Sequence, residues 1–247
     1  MEATGTASDI RVLESDQEVA RAAANCFVDI ALTSISAQGR FSVVLSGGSS
    51  PRRTYELLAS EEYKNRIPWP KVHIFFGDER CVPPTDAASN YRMANEAMIS
   101  LLPIPAKNAH RMAGEGDAVA NASLYQSELQ TFFDQSEWPR FDLVLLGMGN
   151  DGHTASLFPG TPALNETEAW VLANWVEKLN AYRITLTPPA LNHAANVVFL
   201  VTGAGKSKSL HQVLRGAPDP QKLPAQLIQP VDGSLLWLID KAAAGDL

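Results

Sequence analysis

The chain holds only two cysteines, Cys26 and Cys81, in 247 residues. They show neither CxxC nor metal-ligand spacing, so free thiols in a reducing compartment are expected. Cations are also in deficit: 20 Lys+Arg against 27 Asp+Glu give a net charge of −7 and a pI near 5.2. That balance argues against a nucleic-acid or anionic-membrane partner, although a few local cations suffice for a small anionic substrate. No signal peptide, basic transit peptide or long apolar span is apparent, which sets a cytoplasmic protein as the expectation. Internal repeats and long linkers are missing too. The remainder is 45% hydrophobic, enough for one large α/β core. Residues 1–8 are small and polar and read as a flexible N-terminus. Residues 9–247 read as a single domain with a small lobe around 161–182.

Short apolar runs alternate with helical stretches along the whole chain. Strands are expected at Phe41–Leu45, Val72–Phe76, Phe141–Leu146, Arg183–Leu186, Val197–Val201 and Ser234–Ile239. A Ser15/Glu18 capping box opens an Ala-rich helix that Gly39 ends. Ser50 reads as the N-cap of a helix with Pro51 in its first turn, and Ser89 as the cap of another reaching Met98. A polar helix is expected over about Asp117–Phe133. Helices also fit after Pro188-Pro189, and from Gly203 to about Leu214. The alternation predicts an α/β fold with a mostly parallel sheet, Rossmann-like, flanked by helices on both faces.

Four strand-to-loop junctions carry unusual chemistry. At the carboxyl end of the 141–146 strand, Gly147, Gly149 and Gly152 stand within six residues, and Asp151 and His153 follow the turn. A short helical stretch limited by Pro159 is expected behind them. A neutral imidazole can take a proton from water and return it, and a carboxylate beside it fixes the tautomer. The carboxyl ends of such strands are where α/β sheets bind ligands. A second junction, Ser46-Gly47-Gly48-Ser49-Ser50, offers backbone donors and a helix N-terminus to an anion, although a plain βα turn would also need flexible residues. The third, Gly77-Asp78-Glu79-Arg80, reads as a charged loop stiffened by Pro83-Pro84; a simple solvated loop has the same composition. In the fourth, Gly203-Ala204-Gly205-Lys206, a lysine sits at a helix start that disfavours cations, so either a bound phosphate or plain exposure accounts for it. Arg183, at a strand start, is another candidate anion contact or an ordinary surface arginine.

Gly147-x-Gly149-x-x-Gly152 also matches the dinucleotide-binding fingerprint. Pro159 leaves no room for the long helix that this site requires, and no strand ending in an acid stands at the right distance. The match is coincidental. His73, within a strand, and His110, His193 and His211, in ordinary polar surroundings, lack the setting of His153. Cys81 reads as a packing residue.

Taken together, Leu45–Pro51, Gly77–Pro83 with Ser89-Asn90-Tyr91, Gly147–Pro159 and Gly203–Lys206 resemble the 6-phosphogluconolactonase family. The motifs keep their order and span about residues 10–240. The resemblance implies a fold shared with glucosamine-6-phosphate deaminases and ribose-5-phosphate isomerases. It also implies hydrolysis of 6-phospho-D-glucono-1,5-lactone in the oxidative pentose phosphate pathway, with a sugar-phosphate lactone as the partner molecule. In the deaminases the Asp-Gly-His usually continues Ile/Ala-Phe-Asn-Glu-Pro, whereas Thr154–Pro159 stands here.

On that resemblance His153, Asp151 and Arg80 are expected to carry catalysis. Ser46, Gly47, Gly48, Asp78, Arg183 and Lys206 are expected to bind substrate and phosphate. No metal or organic cofactor is implied, because a δ-lactone is already activated. A monomer or small homo-oligomer is expected. Two rivals stand beside this reading: an amino-sugar-phosphate deaminase with Asp78 as base, and a non-enzymatic sugar-phosphate sensor.

Overall fold

The computed structural model describes residues 9–245 and 247, so the N-terminal segment 1–8 lies outside the described residues. In chain order the elements are β1 (Asp9–Leu13), α1 (Asp16–Gln38), β2 (Phe41–Leu45), α2 (Ser49–Leu58), β3 (Val72–Phe76) and β4 (Asp78–Arg80). There follow α3 (Asn90–Ala97), α4 (Ala118–Phe132), β5 (Leu143–Leu146), β6 (Val171–Val176) and β7 (Ala181–Leu186). The chain continues with α5 (Pro188–Asn192), β8 (Asn196–Val201), α6 (Ser207–Arg215), β9 (Ser234–Asp240) and α7 (Lys241–Ala244).

Six strands form one sheet in the order β1-β9-β8-β5-β2-β3, and every pairing in it is parallel. Strands β2 and β5 are fully buried, as apolar runs covered on both faces should be. Flanking helices complete the α/β fold expected from the alternation. Ser15 caps α1 by accepting from the Glu18 N–H, and Gly39 ends it at φ 80°. Contrary to the expectation of no long apolar span, α1 is long and apolar enough, by length and composition, to cross a membrane. Its Val19, Ala23, Phe27 and Ala31 are buried in the core.

Four further features differ from the sequence reading. Asp78-Glu79-Arg80 is not a loop but β4, which pairs antiparallel with β7, itself paired with β6. Three charged residues carry no strand signal, and only the distant partner makes them one. Gly77 is the hinge between the sheets: its N–H donates to Leu45 O and its carbonyl accepts from Leu186 N–H. Ser50 is not the N-cap of α2; Gly48 is, and Ser50 Oγ instead lies 2.6 Å from Thr202 Oγ1. Finally, no helix follows Gly152. Ala155 takes φ 47° and Thr154 bridges Leu157, which ends the resemblance to a dinucleotide site. His110 is likewise not in plain polar surroundings, for its ring stacks on Phe75 at 4.3 Å.

Candidate active site

The carboxyl ends of β2, β5 and β8 and the second sheet enclose a cleft of about 440 Å³. Ser46, Gly47, Gly48, Asp78, Arg80, His153, Arg183 and Lys206 all line it, and Asp151 stands directly behind His153.

At the end of β2 the buried Tyr55 hydroxyl grips Ser46 twice, donating to its carbonyl (2.9 Å) and accepting from its N–H (3.0 Å). Gly48 then takes φ 111° and starts α2 with no side-chain cap, so the positive helix end meets the cleft. Gly47 must be glycine, because a Cβ would stand 1.8 Å from Asn90 Oδ1. Ser46 Oγ and Asn90 Oδ1 are buried without a hydrogen-bond partner among the described residues, a debt that a bound polar group can settle.

Strand β4 distributes its three charges. Asp78 is buried and accepts from Ser156 Oγ (2.7 Å) and Asn90 Nδ2 (3.2 Å). Glu79 points away and accepts from the N–H groups of Arg80, Asn90 and Tyr91 and from Ser89 Oγ, pinning the start of α3. Burial pushes its carboxyl up, against those hydrogen bonds. Arg80 is the register partner of Arg183 across the β4–β7 pair. Like charges opposite one another are unfavourable in a sheet, and burial, then Arg80, pulls the Arg183 guanidinium down. Burial also lowers the Lys206 ammonium, with Asp151 opposing. Among the described residues, Arg80, Arg183 and Lys206 have no carboxylate at ion-pair distance. Three cations without an ion-pair partner around one cleft suit an anion.

On the β5 turn, Gly149 N–H donates to His153 O (2.8 Å), and His153 Nδ1 lies 2.5 Å from Asp151 Oδ1. Partial burial disfavours the Asp151 charge, but hydrogen bonds from His153 and Lys178 outweigh it and hold this carboxyl well below its usual range. An ionised Asp151 can only accept, so Nδ1 carries the proton in this contact. The sequence reading missed Lys178, Asn90, Ser156 and Phe158. Ser89-Asn90 was visible as part of a motif; Lys178 carried no signal beyond a polar turn. Among the described residues no group of three His, Cys, Asp or Glu is placed to hold a metal.

The parallel sheet with a cleft at its carboxyl edge defines a doubly wound α/β protein. Residues 14–237 match the family model of glucosamine-6-phosphate isomerases/6-phosphogluconolactonase, and the chain belongs to that family. It is 43% identical over 218 residues to a 6-phosphogluconolactonase of Nostoc sp., covering 87% of this chain and 88% of the relative. Identity is 40% to the 6-phosphogluconolactonase of Synechocystis sp., covering 98% and 99% of the two chains. The solved 6-phosphogluconolactonase of Trypanosoma cruzi superposes with a TM-score of 0.87 at 30% identity, covering 100% of this chain and 99% of that one. A monomeric glucosamine-6-phosphate deaminase shares the fold alone, at 18% identity and a TM-score of 0.78.

Proposed function

We propose that this chain hydrolyses 6-phospho-D-glucono-1,5-lactone to 6-phospho-D-gluconate, with His153 as general base. The observation that carries the reading is the 2.5 Å His153–Asp151 pair beside a cleft lined by Arg80, Arg183 and Lys206. His153 Nε2 takes a proton from water as its oxygen bonds to the lactone carbonyl carbon. Negative charge collects on the carbonyl oxygen, and Arg80 with nearby backbone N–H groups stabilises it. Collapse breaks the bond to the ring oxygen, which receives the proton from His153. The new carboxylic acid then ionises. Ser46, Gly47, Gly48, Arg183 and Lys206 hold the phosphate and so orient the ring, while Asp78 contacts the sugar.

The 6-phosphogluconolactonases among the relatives support this substrate. We further propose a single domain over 9–247, acting in the cytoplasm within the oxidative pentose phosphate pathway. A deaminase reading draws on the same buried Asp78 in the cleft. A coupled assay on freshly generated phosphogluconolactone, run beside ammonia release from glucosamine 6-phosphate, separates them. Lactone turnover above the spontaneous rate without ammonia is expected; ammonia release without lactone turnover would reverse the assignment.

A further inference from the structure

Asp151 has two carboxylate oxygens, and His153 uses only one. Oδ1 accepts from the ring Nδ1 at 2.5 Å and from the His153 backbone N–H at 3.3 Å. Oδ2 is taken by the ammonium of Lys178. That lysine comes from the 3₁₀ turn Glu177–Leu179, which closes the β6–β7 hairpin with Asn180 at φ 47°. The same ammonium stands 4.6 Å from the centroid of the Phe158 ring, on which the His153 imidazole stacks at 4.1 Å. Phe158 therefore carries both the imidazole and the cation that share one carboxylate.

We infer that Lys178 is a positioning residue for the hydrolysis: by occupying Oδ2 it fixes the Asp151 carboxylate with Oδ1 towards His153, and so holds the imidazole in the tautomer whose Nε2 accepts the proton of water. The inference rests on the His153/Asp151 reading above. The competing account is a bystander ion pair, because an exposed pair contributes little to stability and the Lys178 side chain is 52% exposed. Stability is not the role at issue here. The terminal torsion of an aspartate is broad and roughly two-fold, so a carboxylate with one free oxygen can turn and exchange its partners. Lys178 removes that freedom, and the Phe158 ring beneath the ammonium narrows its own choice of rotamers.

The cation has a second effect, on charge. The charged groups around the imidazole are Asp151 on its own turn, Lys178 on the hairpin turn and Lys206 ahead of α6, with Asp78, Arg80 and Arg183 across the cleft. Removing one cation from this set leaves the Asp151 charge less compensated beside the ring.

The experiment compares Lys178→Gln and Lys178→Arg with the wild type. It reads kcat and KM for fresh lactone against pH, and the NMR titration of the His153 ring in the free enzyme. Lys178→Gln should lower kcat by about 10-fold or more with little change in KM. The acid limb of the rate profile should move to higher pH. Lys178→Arg should restore most of both. An unchanged kcat with an unchanged titration makes Lys178 a bystander, and a rise in KM alone makes it a substrate contact; either result overturns the inference. His153→Ala is assayed alongside. If that variant keeps its turnover, the hydrolytic reading falls instead, and the titration still reports on the Lys178 contact.

Discussion

Gly149 packs its bare Cα against the His153 imidazole: a Cβ there would stand 2.0 Å from Nδ1 and 2.7 Å from Asp151 Oδ1. The His153/Asp151 pair thus occupies the space that any other residue at 149 would fill. Gly149→Ala should displace the imidazole while leaving the buried β5 strand intact. A misplacement of about 1 Å can cost roughly 10²-fold in rate. We expect a loss of that order in kcat with a thermal midpoint within a few degrees of the wild type. Near-normal turnover would show that the pair tolerates displacement.

Arg80 and Arg183 face each other in register, and among the described residues neither has a carboxylate at ion-pair distance, so each can be removed at little cost to folding. Arg80→Met should chiefly lower kcat, because its assigned charge is the oxyanion. Arg183→Met should chiefly raise KM, because its assigned charge is the phosphate. Truncating one member of a close charge pair costs roughly 2–5 kcal/mol, less where water reaches it, so losses of about 10-fold or more are expected for either variant. Thermal midpoints should hold or rise as repulsion is relieved. Exchanged kinetic signatures would exchange the two roles.

The depressed Asp151 carboxyl also sets a pH dependence of stability. Its contribution is present above the unfolded value, near 3.9, and is lost as pH falls through the lower folded value. Wild type should therefore exceed Asp151→Asn in thermal midpoint at pH 7, and the gap should narrow in acid below about pH 4. A gap that widens in acid would contradict the charge assignment.

The parts of this site that were legible in the sequence are local. Asp151 and His153 stand two residues apart behind a glycine turn, and the glycine pair at 47 and 48 precedes a helix. What stayed hidden depends on contacts between distant segments. Lys178 meets Asp151 from 27 residues away, and nothing in Glu177-Lys178-Leu179-Asn180 distinguishes it from a solvated turn. Strand β4 exists because β7 pairs with it, not because Asp78-Glu79-Arg80 favours extension. The expected helix after Gly152 failed because Ala155 takes a positive φ and Asn174 Nδ2 holds the Ser156 carbonyl at 2.9 Å.

The central claim is that His153 moves the proton. The most direct measurement is kcat for His153→Ala on freshly generated 6-phosphogluconolactone, with spontaneous hydrolysis subtracted and product binding checked separately. General acid–base catalysis typically supplies ~10²–10⁴-fold, and a loss in that range with product affinity retained is the predicted result. Turnover close to wild type would contradict the account and remove His153 from the mechanism.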